Sequence, residues 1–96
     1  MADPTSSDAD RSGEADHHVY IVECSDGTLY TGYTTDVERR VREHNEGTAA
    51  KYTRGRRPVT LVYTEAFESQ SAAMTREYRI KQLRRSQKER LVEHET

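Results

Sequence analysis

From Val19 to Cys24 apolar residues occupy both parities: Val19 and Ile21 on one side, Tyr20, Val22 and Cys24 on the other. A strand alternates its side chains between two faces, so a run apolar on both belongs inside a sheet. Ser25-Asp26-Gly27-Thr28 follows as a turn, with Gly27 able to take a positive φ, and Leu29 to Thr34 reads as the return strand. The period then changes. Val37 and Val41 stand one helical turn apart, Thr35 and Glu38 have capping-box spacing with Asp36 also near the start, and Gly47 after Asn45 is a stop. This predicts a helix of about three turns. Residues 49–58 form a basic loop ended by Pro58, and Val59–Phe67 reads as a third strand. A helix is predicted over Ser69–Arg85, and Ser86 is placed to cap a last one. The order is ββαβαα, an α/β fold with a small three-stranded sheet flanked by helices.

The turn decides which side chains meet. A two-residue loop at Asp26-Gly27 would set Tyr20 opposite Tyr33 and send Tyr30 to the other face. A three-residue loop, Ser25-Asp26-Gly27 with Gly27 left-handed, shifts the register by one, so that Tyr20 and Tyr30 share a face as diagonal neighbours roughly 7–8 Å apart. On the first helix Arg40 and His44 are one turn apart on one side, Arg40 at the margin of the apolar stripe. On the next, Ala73, Glu77, Ile80 and Leu83 make one stripe, and a carboxylate there must be paired, protonated or bound to metal. A structural ion pair with an arginine at the core's edge explains it equally well.

Charge sharpens this picture. The chain of 96 residues has a net charge of −2, but residues 1–16 hold five acids against one arginine, while residues 17–96 are at +2. Residues 1–16 are nearly free of apolar side chains and are expected to be a disordered acidic tail. That tail suits a high-salt cytoplasm or a solubilising leader alike. Residues 17–96 form the folded unit. Two windows, Arg39–Arg57 and Arg76–Arg90, each carry seven bases against two acids. Each fits either a solvated helix face or a phosphate-facing footprint. The start of the chain lacks the basic and apolar regions of a secretory signal, and no apolar run approaches the roughly 20 residues of a membrane span. Cys24 is the one cysteine, so no internal disulfide forms and a cytoplasmic location is expected.

Val19-Tyr20-Ile21 followed by Tyr30-Thr31-Gly32, with the tyrosines ten residues apart, resembles the GIY-YIG motif of the GIY-YIG endonucleases. Arg40 stands ten residues after Tyr30, where that family has its catalytic arginine. His44 sits where the junction-resolving branch has a histidine, and Glu77 corresponds to the metal-binding glutamate of the family's later helix. Residues 50–63 are similar to the small stand-alone GIY-YIG proteins of prokaryotes. The resemblance spans residues 17–93. It departs at His18, where the motif has glycine, and at Thr31, where it has isoleucine.

The resemblance implies hydrolysis of a nucleic-acid phosphodiester, with DNA the expected substrate and repair or recombination the setting. Glu77 would hold Mg²⁺ (or Mn²⁺), Arg40 would clamp the phosphate, and Tyr20 or Tyr30 would take the proton of the attacking water, its pKa lowered by a neighbouring cation. His44 would relay the proton or hold a phosphate. Arg39, Lys51, Arg54, Arg56, Arg57, Lys81, Arg84 and Arg85 would grip the backbone without reading sequence, whereas Tyr33 and Tyr52 are expected to pack. The junction-resolving branch also implies a partner subunit. Two other readings stay open: a catalytically weak nucleic-acid-binding module of the same fold, and a protein-interaction domain.

Overall fold

A computed structural model describes residues 16–95 of the chain; the expected acidic tail lies, apart from Asp16, outside the described residues. The elements are β1 (His17–Glu23), β2 (Leu29–Thr34), α1 (Val37–Glu46), α2 (Lys51–Arg54), β3 (Thr60–Phe67), α3 (Gln70–Lys81) and α4 (Arg85–Glu95). The expected α/β order is present, with one addition: the basic loop contains the single turn α2.

The strands form one antiparallel sheet in the order β2-β1-β3. The strand apolar at both parities is thus the central one, and Val19, Tyr20, Ile21 and Val22 are all at most 2% exposed. Full burial of one such aliphatic side chain contributes about 1.5–3 kcal/mol. Val19 and Ile21 pack with Tyr63, Ala73 and Ile80, bringing α3 against one face of the sheet. Tyr20, Val22 and Cys24 pack with Val59, Tyr30 and Val41 on the other face, beneath α1.

The hairpin adopts the three-residue loop. Cys24 N donates to Thr28 O at 2.8 Å, Gly27 has φ 85°, and Tyr20 stands opposite Gly32 while Tyr30 stands opposite Val22. The two tyrosines therefore share a face. Asp26 Oδ1 accepts from the Thr28 amide and hydroxyl, and the turn is clamped from both sides by Arg56 on Asp26 Oδ2 (3.0 Å) and Arg85 on Gly27 O (2.6 Å).

α3 is shorter than expected, running Gln70–Lys81 with Ser69 as its cap and Gln82 closing it, and three further boundaries differ. Asp36, not Thr35, caps α1, its Oδ1 accepting from Arg39 N at 3.1 Å, so Glu38 lies too early in the helix to complete a capping box. Ser86 lies inside α4, whose start is instead closed by Gln87 reaching back to Arg84 N (2.9 Å). Val59 falls outside β3 because the Asn45 side chain takes its backbone pair, accepting from Val59 N at 2.7 Å and donating to Val59 O at 3.2 Å. Gly47 ends α1 as expected, at φ 85°.

Candidate active site

Tyr20 projects from the centre of the sheet toward α1. Its ring lies across Gly32, where a Cβ would stand 2.6 Å from Tyr20 Cζ. The glycine of the second tyrosine motif thus makes room for the first tyrosine. Gly32→Ala should displace that ring and destabilise the fold by about 1–3 kcal/mol, seen as a lower denaturation midpoint. An unchanged midpoint would mean that the ring does not rest on this glycine.

The Tyr20 hydroxyl lies 2.7 Å from His44 Nε2, and His44 Nδ1 lies 2.7 Å from Thr53 Oγ1. Thr53 belongs to α2 and is fully buried, and its own hydroxyl donates to Ala50 O at 3.3 Å. That bond uses the only proton Thr53 has, so Oγ1 accepts from Nδ1–H and leaves Nε2 as the acceptor for Tyr20 O–H. The direction Tyr20→His44→Thr53→Ala50 follows from donor counting. His44 is 1% exposed, too enclosed and too fully bonded to hold a phosphate, which corrects that half of the expectation.

Burial pushes the Tyr20 phenol well above its ordinary value; Tyr30, Glu77 and Glu43 add to the rise and Arg40 opposes it. The expectation that a neighbouring cation dominates is therefore reversed by burial. His44 moves down, through burial first and then Arg40, with Glu43 opposing. It is neutral at neutral pH, not readily ionised. Tyr30, Arg40, Glu43 and Glu77 therefore all act electrostatically on the Tyr20 hydroxyl.

Tyr30 packs edge-on against His44, with ring centroids 5.2 Å apart, and stacks on Tyr52 at 5.7 Å. Thr31 turns to the opposite face of the strand, where its hydroxyl is buried with no protein partner. Arg40 Nη1 is 3.2 Å from Glu43 Oε1, and Arg39 shares that carboxylate at 3.7 Å. Glu77 rises from α3 with a side chain only 14% exposed and pairs with Lys81 at 3.2 Å. Its partner is a lysine one turn on, not an arginine at the core's edge.

Of the other four candidate residues, His44 bonds the Tyr20 hydroxyl directly, and the charges of Tyr30, Arg40 and Glu77 act on it. Thr53 and Glu43 were missed by sequence reasoning. Glu43 follows Arg40 at i+3 and was legible as a pair. Thr53 had no local signal, because it meets His44 only when α2 folds back on α1.

The basic residues are less uniform than expected. Arg54 donates to Gly47 O, and Arg57 donates to Arg54 O and Asn45 O. Arg56 is shared between Asp26 and Tyr52 O, with its guanidinium 4.1 Å from the Tyr52 ring centre. These three hold the loop together and keep only their remaining donors for a ligand. Lys51 and Arg84 are exposed, Lys81 is tied to Glu77, and Arg85 is divided between Glu89 and Gly27 O. Tyr33 packs as expected, stacked on His17 with its hydroxyl 2.8 Å from His17 Nδ1.

A family model described as the GIY-YIG catalytic domain matches residues 16–90. The chain belongs to the GIY-YIG family. Its GIY-YIG domain is 75% identical over 75 residues to a UPF0213 protein of Halobacterium salinarum, covering 78% of this chain and 97% of that one. It is 60% identical over 79 residues to a UPF0213 protein of Staphylococcus haemolyticus, covering 82% and 96%. Among solved structures, the solution NMR structure of a UPF0213 protein from Bacillus halodurans is 58% identical, covering 80% of this chain and 82% of that one, with a TM-score of 0.54. That of a protein from E. faecalis is 46% identical, covering 84% and 86%, with a TM-score of 0.58. The chain is thus similar to small stand-alone GIY-YIG proteins of prokaryotes.

Among the described residues no three His, Cys, Asp or Glu side chains gather as a metal cage. Glu77, a largely enclosed single carboxylate whose charge reaches the Tyr20 hydroxyl, fits Mg²⁺ or Mn²⁺ in the manner of ions that take one or two carboxylates and complete their shell with water and phosphate. No described helix is long and apolar enough to cross a membrane.

Proposed function

We propose that the GIY-YIG domain is a metal-dependent endonuclease that hydrolyses phosphodiester bonds in nucleic acid, DNA first, selecting branched or flapped structures in repair or recombination. The observation that carries this reading is the directed chain from the Tyr20 hydroxyl through His44 to Thr53. A phenol held protonated by burial is a poor base by itself. With a neutral imidazole accepting at 2.7 Å, it takes the proton of the attacking water while its own passes to Nε2. This supports Tyr20 rather than Tyr30 as the base. Tyr30 orients the imidazole by edge-on packing. Arg40 exchanges Glu43 for the phosphate and stabilises the charge that builds as the water oxygen bonds to phosphorus and the bond to the leaving oxygen breaks. Glu77 would hold a divalent cation, which when bound would polarise the phosphate and stabilise the leaving oxygen. The basic residues of α2, the following loop and the α3–α4 junction hold the backbone, with any partner subunit extending that surface. The buried free thiol of Cys24 suits a reducing cytoplasm.

The test is cleavage of flapped and branched DNA with Mg²⁺ or Mn²⁺. Arg40→Ala and Glu77→Gln should each slow cleavage by about 10²–10³-fold without changing the melting temperature by more than a few degrees. Cleavage unaltered in both variants would belong to a contaminant, and the reading would be wrong.

A further inference from the structure

Beyond Tyr30 the site continues into a small pocket. Tyr52 stacks on Tyr30, and its other neighbours enclose a space of about 180 Å³ lined by Thr28, Leu29, Tyr52, Arg85 and Lys88. Its walls come from three places: the end of the β1–β2 hairpin, the single turn α2 and the first turn of α4. The hairpin and α4 are fastened across it by Arg85 on Gly27 O. Leu29 is partly buried, and Tyr52 is 40% exposed although Tyr30 stacks on its ring and the Arg56 guanidinium lies 4.1 Å from the ring centre. The pocket therefore combines an apolar wall with cations.

Those cations are not equivalent. Arg85 is engaged by Glu89 at 2.7 Å, and Lys81, whose charge acts on Lys88, by Glu77 at 3.2 Å. Lys88 makes no ion pair with a described carboxylate, yet it is partly buried and feels the charge of Lys81. Burial and that like charge push its ammonium below the ordinary lysine range. An anion beside Lys88 would relieve both.

We propose that this pocket is a nucleotide subsite, in which the unit next to the scissile phosphate places its base against Tyr52 and Leu29 and its phosphate on Lys88. The proposal rests on the endonuclease reading above and adds a substrate class: nucleic acid that is unpaired beside the cleavage point. The reason is size. Ligand pockets for drug-sized molecules run to about 300–1,000 Å³, so a space of about 180 Å³ takes the base of one nucleotide and not a stacked pair. A base held in duplex must leave its partner and its stack to enter. Flap junctions and single strands offer such a base without that penalty.

The test is binding, measured by fluorescence anisotropy in EDTA so that no strand is cut. The probes are one short labelled oligonucleotide as a single strand and the same sequence as a blunt duplex. The wild-type chain should bind the single strand more tightly than the duplex. Tyr52→Ala should weaken single-strand binding about ten-fold or more, and Tyr52→Phe should restore it. Lys88→Gln should weaken it too, and should flatten the slope of log affinity against log salt by about 0.7, the share of one phosphate on a single strand. Lys88→Arg should keep the slope, and Arg90→Gln, which removes an exposed charge elsewhere on α4, should leave both probes unaffected. Lys88→Gln decides the matter if Tyr52→Ala fails to fold. Single-strand binding unchanged in Lys88→Gln overturns the subsite, while the endonuclease reading stands or falls separately on Arg40 and Glu77. Equal losses on single strand and duplex overturn the preference for an unpaired nucleotide. Absence of single-strand binding by the wild type also overturns the subsite and leaves the endonuclease reading to the cleavage test with Mg²⁺ or Mn²⁺.

Discussion

Tyr20→Phe is expected to reduce phosphodiester cleavage by about 10²–10⁴-fold, the range for removing a general base. The phenylalanine ring can keep its place over Gly32, so the substitution takes away the hydroxyl with little change of packing. What it leaves is His44 Nε2 buried with no donor, a loss of about 1–3 kcal/mol. A melting curve separates that loss from the catalytic one, because the variant should remain folded at assay temperature. In the wild type, activity should fall as pH drops below about 6.5 toward the lowered His44 pKa, since a protonated imidazole cannot accept from Tyr20. Cleavage by Tyr20→Phe within a few-fold of wild type would shift the role of base to another group, Tyr30 first.

His44→Ala should destabilise the domain by about 3–5 kcal/mol, combining a cavity with two buried hydroxyls deprived of their partner. A domain of this size has only about 5–15 kcal/mol in all, so the melting temperature should drop by more than about 12 °C. The same residue makes stability depend on pH. Its folded pKa lies below the ordinary 6.5, so the unfolded chain binds a proton that the folded one refuses. The His44 contribution is therefore complete above about pH 6.5 and is lost as pH falls toward its folded pKa, at no more than about 1.4 kcal/mol per pH unit. Asp26, also lowered, titrates below 3.8 and does not enter that window. Denaturation midpoints between pH 7 and pH 5 should fall in the wild type and not in a variant lacking the imidazole. A flat profile would mean that His44 gains protons equally in both states.

The sequence by itself determined the three strands and the three longer helices, and it marked five candidate residues for the site. Alternation with both parities apolar marked β1 as central, and turn chemistry narrowed the hairpin to two loops, of which the structure has the three-residue one that puts Tyr20 and Tyr30 on one face. The spacing of Arg40 and His44 placed both on one side of α1, and Glu77 stood out as a carboxylate in an apolar stripe. These are local properties, carried by periodicity and turn chemistry over a few residues. Only the tertiary structure decided how the residues are coupled. Thr53 meets His44 through the return of α2 onto α1, and that contact fixes which imidazole nitrogen accepts from Tyr20. Burial, a sum over the sheet, α1 and α2, reversed the expected electrostatics, raising the phenol and lowering the histidine. Protonation and hydrogen-bond direction depend on which groups exclude water from one point, and no spacing along a single segment encodes that.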